Sequence, residues 1–220
     1  MIGPRLGTSY RRALLDVELD RLIPEFTGIV LDVGGKRAPR GHFRRPEDKV
    51  RRWILLNVAA GEAPDVVATA EALPVRDASV DRILCKEVIQ YVDRYDCMLR
   101  EFHRVLVPGG RVFLSAPLLH RLDHATDRQR FSAGRLAELL ERAGLRVQRI
   151  VQQGRFFTTL AHMLRQATAH VRSRPLRAAL AVPLVPLGAG LCRLDRTAVV
   201  ARSAFLSSYT TGYLVIAQKP

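Results

Sequence analysis

The chain has 220 residues, 48% of them hydrophobic, and a formal net charge of +14 from 35 Lys and Arg against 21 Asp and Glu. This length and apolar content suit one domain of ordinary size with a real core. We find no run of about 20 apolar residues, which argues against a membrane-spanning helix. An apolar amino-terminal segment typical of secreted proteins and paired cysteine motifs typical of disulfide or zinc sites are also lacking. The sequence therefore predicts a cytoplasmic protein with no spanning helix, no disulfide framework and no bound metal.

The charge is unevenly distributed. Residues 151–220 carry nine basic side chains against one acid, Asp195, whereas the first 150 residues carry a net charge of only +6. Such a tail favours an anionic partner, either a phospholipid surface, a phosphorylated substrate or nucleic acid. A solvated Arg-rich face explains it equally well. Nucleic acid ranks last, because no basic-aromatic module accompanies the charge.

The hydrophobic pattern predicts alternating strands and helices. Strands are predicted at 28–33, 53–58, 65–68, within 79–88, and at 111–117, 145–153 and 212–218. Helices are predicted at 8–23, 91–106, 132–143 and 155–171, and a turn at 108–110. This alternation predicts an α/β fold, with a mostly parallel sheet covered on both faces. Ligands of such sheets bind beyond the carboxyl ends of the strands, where strand order reverses.

Several stretches in this order resemble class I S-adenosylmethionine-dependent methyltransferases. They are "VLDVGG" (30–35), "PDVVATAEALPVRDASVDRILCKEVIQYV" (64–92), "LREFHRVLVPGGRVFLSAP" (99–117), "RFSAGRLAELLERAGLRV" (130–147) and "TTGYLVIAQKP" (210–220). The resemblance is greatest to the small branch associated with polysaccharide and glycolipid biosynthesis. It implies a Rossmann-like, doubly wound sheet of seven strands whose last strand is antiparallel, and S-adenosyl-L-methionine as cofactor.

The resemblance also implies which residues bind the cofactor. Asp32 would hold the first loop and the amino group of the methionine part, and Gly34 and Gly35 would let the backbone approach the ligand. The remaining cofactor positions implied by the family are Asn57, Ala70, Glu71, Leu73, Lys86 and Glu87.

Three positions depart from the family pattern. Asn57 stands where the family has an acid for the ribose hydroxyls, and Thr69 where related sequences have an Asp for adenine. After Gly35 the basic loop (residues 36–45) replaces the start of a long helix. Two alternatives remain: the crevice binds the cofactor through altered contacts, or it binds something else or nothing.

The loop after the fifth predicted strand, "PLLHRLDHATDRQRFS" (117–132), is placed to supply a general base for a hydroxyl acceptor. We expect His124 to be that base, with His120 as the second candidate and Asp127 as the residue that orients the base. Arg130 is expected to be structural, bonding carbonyl groups or Asp127.

Residues 154–209 exceed what the family needs between its last two strands, so we divide the chain into a methyltransferase-like domain (1–153 plus 210–220) and an insert (154–209). Its apolar stretch 175–194 is broken by Pro183, Pro186 and Gly188, and we expect it to be too interrupted to span a bilayer. The flanking arginines suit lipid phosphates, which predicts peripheral binding at the inner membrane face. A cap over the acceptor pocket and a homodimer contact are the alternatives.

The functional expectation is methyl transfer to a hydroxyl of a sugar, a glycolipid or a related small molecule. The rival is an inactive methyltransferase-like scaffold or partner protein that has lost the cofactor.

Overall fold

The computed structural model describes residues 9–38, 41–122 and 125–220. The strands are β1 (Ile29–Val33), β2 (Arg52–Asn57), β3 (Val66–Val67), β4 (Val80–Lys86), β5 (Leu106–Pro117), β6 (Arg146–Gln152) and β7 (Gly212–Gln218). The α-helices are α1 (Tyr10–Arg21), α2 (Tyr95–Val105), α3 (Ala133–Arg142), α4 (Phe156–Ala169), α5 (Arg174–Leu194), α6 (Ala198–Arg202) and α7 (Ala204–Ser207).

The strands form one sheet in the order β3-β2-β1-β4-β5-β7-β6. The first five strands pair in parallel, whereas β7 is antiparallel to both β5 and β6. This confirms the predicted Rossmann-like sheet with an antiparallel last strand. Strand order reverses between β1 and β4, so the crevice at their carboxyl ends is the expected place for a ligand.

Apolar side chains cover both faces of the sheet. On one face, α2 and α3 contribute Phe102 and Leu140, both fully buried. On the other face, α1 contributes Leu15 and Leu19, which lie one helical turn apart on the same side of the helix. Each such side chain stabilises the fold by about 1.5–3 kcal/mol relative to exposure.

Local signals set the ends of the helices. The Ser9 hydroxyl accepts a hydrogen bond from the Arg12 N–H at 3.2 Å and begins α1, and Ser132 does the same for α3 through the Arg135 N–H. Gly144 ends α3 with φ +82°, a left-handed conformation that glycine adopts without strain.

Residues 108–110 are not the turn that the sequence predicts. They lie within β5, where the pairing with β4 shifts register between Val80 and Arg82. Gly109 has φ +76°, so the glycine supplies a bulge in a continuous strand. A Pro-Gly-Gly sequence serves a bulge as well as a turn, because both need a residue with positive φ.

The apolar stretch of the insert also differs from the expectation. Instead of breaking at Pro183 and Pro186, it forms one 21-residue helix, α5. Each proline removes one backbone donor, yet the helix runs through both. Among the described residues, α5 is the one helix whose length and composition would allow it to cross a membrane, contrary to the prediction of none.

The insert consists of α4 to α7, between β6 and β7. Among its contacts, one joins it to α1 and another ties two of its own helices together. Gly188 of α5 packs so closely on Tyr10 of α1 that an added Cβ would lie 1.8 Å from the Tyr10 hydroxyl oxygen. Asp195, just after α5, accepts hydrogen bonds from the N–H groups of Arg155, Phe157 and Thr158 at 2.7–3.0 Å. Its carboxylate thereby satisfies the free donors at the start of α4.

Candidate active site

A large cleft opens at the carboxyl ends of β1, β2 and β4, where the strand order predicts it. Its volume is about 1170 Å³. The loops that follow these strands, the amino-terminal turn of α1 and the segment after β5 line it. The predicted site residues on this lining are Asp32, Gly34, Gly35, Asn57, Ala70, Glu71, Lys86, Glu87 and His120.

Asp32 is the polar residue of β1 at the bottom of the cleft. It is 1% exposed, and its Oδ2 accepts a long hydrogen bond from the Trp53 indole at 3.4 Å. Its Oδ1 has no hydrogen-bond partner among the described residues. Burial raises the pKa of Asp32, and the positive charge of Lys86 opposes this shift. A buried acceptor without a donor is costly, so this oxygen suits a ligand that brings N–H groups.

The turn after β1 has no room for side chains. Gly34 has φ +76°, and its N–H donates to the Leu56 carbonyl oxygen at 2.7 Å. A Cβ added to Gly35 would lie 2.8 Å from the Asp32 carbonyl oxygen. The two glycines therefore keep bare backbone beside the Asp32 carboxylate, where a ligand can approach closely.

Asn57 holds this turn in place. Its Nδ2 donates to the Gly35 carbonyl oxygen at 3.0 Å, and its Oδ1 accepts from the Ala59 N–H at 3.0 Å. Both ends of the amide are thus engaged within the protein. The structure places Asn57 in a supporting network, whereas the resemblance implies that this position binds the ribose.

The described residues of the basic loop, 36–38 and 41–45, leave the cleft open, and Lys36, Gly41 and Arg45 contribute to its lining. Lys36 forms an ion pair with Glu62, which follows β2, and Arg37 pairs with Asp65 at 2.5 Å. Arg45 pairs with Glu47 at 2.7 Å and donates to the Lys36 carbonyl oxygen at 2.8 Å. Three basic side chains of the loop are therefore held in ion pairs beside the cleft, and Lys36 and Glu62 line the opening.

The adenine-side residues form a small network of their own. The Thr69 hydroxyl donates to Glu71 at 3.3 Å, and the Arg94 N–H donates to the other carboxylate oxygen of Glu71 at 2.9 Å. Ala70 lines the cleft beside them. Leu73 does not line it: its side chain packs in the core, and its N–H donates to Glu101.

The loop after β4 places two predicted residues and one that the sequence did not reveal. Burial lowers the pKa of Lys86, whose ammonium lies 5.1 Å from the centre of the Phe43 ring. Glu87 has φ +59° and forms an ion pair with Arg11 of α1. Gln90 is 2% exposed, lines the cleft and has no partner for its Oε1 among the described residues.

The candidate catalytic residues are only partly brought together. His120 lines the cleft, and its Nδ1 lies 3.4 Å from Nε2 of His162, a fully buried residue of α4. Asp127 is buried, is absent from the lining, and forms a two-pronged ion pair with Arg130. Arg130 also donates to the Gln129 carbonyl oxygen, which fits its expected structural role. His124, the expected base, lies outside the described residues.

Sequence reasoning missed three further contributors to the site. Gln90 lies in the stretch 64–92 that carries the resemblance but has no implied role there, and Glu62 and His162 lie outside every such stretch. His162 belongs to the insert, 42 residues after its partner His120. The sequence could have indicated only Glu62, because it is the first acidic residue after Asn57 and could replace the missing carboxylate there. Among the described residues, no cluster of His, Cys, Asp and Glu could hold a metal ion.

The fold is shared with solved structures. The sheet is shared with the structure titled (4+2)-cyclase SpnF, with a TM-score of 0.63 and 19% identity, covering 94% of this chain and 82% of that one. It is also shared with a SAM-dependent methyltransferase from Archaeoglobus fulgidus, with a TM-score of 0.60 and 18% identity, covering 94% of each chain. At such identities the likeness shows the fold alone.

Sequence comparisons add matches to methyltransferases. A family model described as a methyltransferase domain matches residues 50–114. A ubiquinone/menaquinone biosynthesis C-methyltransferase of Rubrivivax gelatinosus is 53% identical over 45 residues, 20% of this chain and 18% of its own. An uncharacterized methyltransferase-like protein of Schizosaccharomyces pombe is 29% identical over 114 residues, 48% of this chain and 44% of its own.

In its fold, in residues 50–114 and in these relatives, the chain is similar to class I S-adenosylmethionine-dependent methyltransferases. The chain spans less than half the length of these two curated relatives.

Proposed function

We propose that the chain transfers a methyl group from S-adenosylmethionine to a hydroxyl of a sugar, a glycolipid or a related small molecule. The observation that carries this proposal is Asp32 Oδ1, a buried acceptor without a partner among the described residues, at the bottom of the cleft beside the Gly34–Gly35 turn. The amino group of the cofactor's methionine part offers the N–H donors and the positive charge that this oxygen lacks.

Other residues of the cleft fit the rest of the cofactor. With Asn57 engaged by Gly35 and Ala59, the carboxylate on the loop after β2 that lines the cleft is Glu62. We assign it the ribose hydroxyls, because a carboxylate can accept two hydrogen bonds at once. Lys36, its ion-pair partner, would hold it in place.

When bound, S-adenosylmethionine supplies a methyl group on a positively charged sulfur. The task of the chain is then to hold the acceptor hydroxyl in line with that group and to exclude water. Among the described candidates, His120 is the residue on the cleft lining that can take the hydroxyl proton.

His162 gives His120 a suitable neighbour. Burial lowers the pKa of His162 to about 3, with Arg11 and His120 adding to the effect, so its ring is neutral near pH 7. Nδ1 of His120 lies 3.4 Å from Nε2 of His162 and 3.3 Å from the amide nitrogen of Gln166. In this proposal the Nδ1–H of His120 is donated to the neutral Nε2 of His162, the Gln166 amide turns its oxygen toward that N–H, and Nε2 of His120 is left to receive the proton. His162 is thus a positioning residue in this proposal.

The acceptor class rests on the polarity of the opening. Arg12 and Arg121 lie along it together with Glu71 and Asp93, and such donors and acceptors suit a hydroxyl-rich molecule better than a hydrocarbon. A role in polysaccharide or glycolipid biosynthesis, and a cytoplasmic location, are part of the same proposal.

Calorimetric titration with S-adenosylmethionine and S-adenosylhomocysteine tests cofactor binding. We expect heat with both, and Asp32→Asn to weaken binding of S-adenosylmethionine by roughly tenfold to a hundredfold through the loss of a charged hydrogen bond. Asp48→Asn, an exposed acid on the loop before β2, is the matched control. Transfer of a labelled methyl group to candidate sugars and glycolipids then identifies the acceptor.

The rival function is a methyltransferase-like scaffold that has lost the cofactor. The engagement of Asn57 within the protein is the observation that favours it. Absence of heat with either ligand at millimolar concentration, in protein shown to be folded by circular dichroism, would establish this rival and reject the enzyme.

A further inference from the structure

The insert carries an unusual share of exposed apolar side chains. The described chain has fifteen large hydrophobic residues that are exposed, and eleven of them lie between positions 160 and 205. They are Leu160, Met163, Leu164, Leu176, Leu180, Val182, Val185, Leu187, Leu194, Val199 and Phe205, here called the apolar face. A concentration of this kind marks a surface that meets an apolar partner, whereas scattered exposed residues need no explanation.

The same segment presents positive charge without any exposed acid. Residues 154–209, all described, contain eight arginines and one acid, Asp195. That acid is 3% exposed, and its carboxylate is used by the N–H groups at the start of α4. The outer surface of the insert is therefore apolar and cationic, a combination that complements anionic phospholipid and not a mixed-charge protein surface.

The positions of the arginines indicate how the helix would lie. Arg172, Arg174 and Arg177 stand at the start of α5, and Arg193 and Arg196 at its end. The uncharged stretch between Arg177 and Arg193 is about 22 Å long at 1.5 Å per residue, shorter than the hydrocarbon core of about 30 Å. A helix of this kind lies in the interface, with its apolar side chains among the acyl chains and its arginines at the phosphates.

We propose that α5 and the apolar face dock the chain on the surface of a membrane containing anionic phospholipid. The proposal does not depend on the proposed enzymatic function, because it rests on the insert alone. If both hold, docking brings a methyltransferase to lipid-linked acceptors, since α4 of the same insert contacts His120 at the cleft.

Vesicle flotation of the full chain tests the proposal. We expect it to float with vesicles of phosphatidylcholine containing phosphatidylglycerol, and at least tenfold less with phosphatidylcholine alone. Leu180→Glu combined with Val185→Glu should abolish flotation. Arg174→Gln with Arg177→Gln should weaken it by roughly thirtyfold and reduce its salt dependence, because each lost arginine removes attraction to the anionic surface.

A matched control is Val67→Glu, an exposed apolar residue of β3 outside the insert, which should float like the unaltered chain. Because the altered side chains are exposed, apart from the half-buried Arg177, all variants should keep the same circular dichroism spectrum and the same heat with S-adenosylmethionine. A variant that no longer floats but still gives this heat has lost membrane docking alone, whereas absence of heat in every variant counts against the proposed function.

Several results would overturn the proposal. One is equal flotation of Leu180→Glu/Val185→Glu and unaltered chains. Another is a dimer, detected by ultracentrifugation and broken by that double variant, without vesicle binding; the face would then join two copies of the chain. Retention of labelled RNA without vesicle binding would assign the charge to nucleic acid. Binding to both vesicle types that resists carbonate extraction would indicate a spanning helix.

Discussion

Asn57 Nδ2 donates to the carbonyl oxygen of Gly35 at 3.0 Å, across 22 residues of sequence. This bond fixes the end of β2 to the turn that borders the cleft. It requires a donor, which an amide has and a carboxylate at neutral pH lacks. The amide at position 57 therefore supports the turn after β1, a task that the acid found in related sequences could not perform.

Asn57→Asp should destabilise the protein without improving cofactor binding. The substitution would place a carboxylate against the Gly35 carbonyl oxygen, and a buried oxygen left without a donor costs about 1–3 kcal/mol. Chemical denaturation measures the loss in the free energy of unfolding, and calorimetry measures the affinity for S-adenosylmethionine. Tighter binding in this variant would contradict the proposed supporting role and restore position 57 as the ribose site.

If Glu62 binds the ribose, Glu62→Gln should weaken S-adenosylmethionine binding by about tenfold, or ~1.4 kcal/mol, because an amide oxygen accepts without the help of charge. The variant also loses the ion pair with Lys36, so Lys36→Met separates the two effects: it should weaken binding less. The same titrations on Glu141→Gln, an exposed acid of α3, should match the unaltered chain. Unchanged affinity in Glu62→Gln would remove this residue from the site.

The strands, most helices and the edge of the sheet that holds the site were predictable, because they depend on local patterns. Apolar runs mark β1 and β4, and Ser132 and Gly144 mark the ends of α3. The hydrogen bond that engages Asn57 was not predictable, because its acceptor belongs to a distant loop whose course no local pattern sets.

Two other features escaped prediction for different reasons. The continuity of α5 was missed because Pro183 and Pro186 each remove a backbone donor, which argues against a helix although this one runs through both. The contact between His120 and His162 was missed because it joins the site to the insert, whose packing on α1 involves distant residues such as Gly188, Ala161 and Cys192 around Tyr10.

The buried ring of His162 should make the stability of the protein depend on pH. Burial lowers its pKa from an ordinary 6.5 to about 3, so the folded state stays neutral where the unfolded state takes up a proton. Its contribution to stability is present above pH 6.5 and is lost as the pH falls toward 3, by at most about 1.4 kcal/mol per pH unit.

Urea unfolding at pH 7.5, 6 and 5 measures this effect as a difference between the unaltered chain and His162→Gln. We expect the free energy of unfolding of the unaltered chain to fall more steeply with acid than that of the variant. Equal slopes would mean that the ring is protonated in the folded state or exposed to water.

Asp195 should be among the most important polar residues for the stability of the insert. Its carboxylate accepts hydrogen bonds from three backbone N–H groups at the start of α4, and no other acid occurs in residues 154–209. Asp195→Ala leaves those donors buried without an acceptor, so we expect a loss of roughly 2–3 kcal/mol in the free energy of unfolding.

Ser173→Ala provides the comparison for Asp195→Ala, because the Ser173 hydroxyl caps α5 through one long bond of 3.5 Å from the Leu176 N–H. That variant should lose less than about 1 kcal/mol. Hydrogen exchange locates the effect: in Asp195→Ala the amides of α4 should exchange faster, whereas those of β1 and β4 should change only as far as global stability falls. Protection of α4 equal to that of the unaltered chain would show that packing on α1, and not the Asp195 carboxylate, holds the helix.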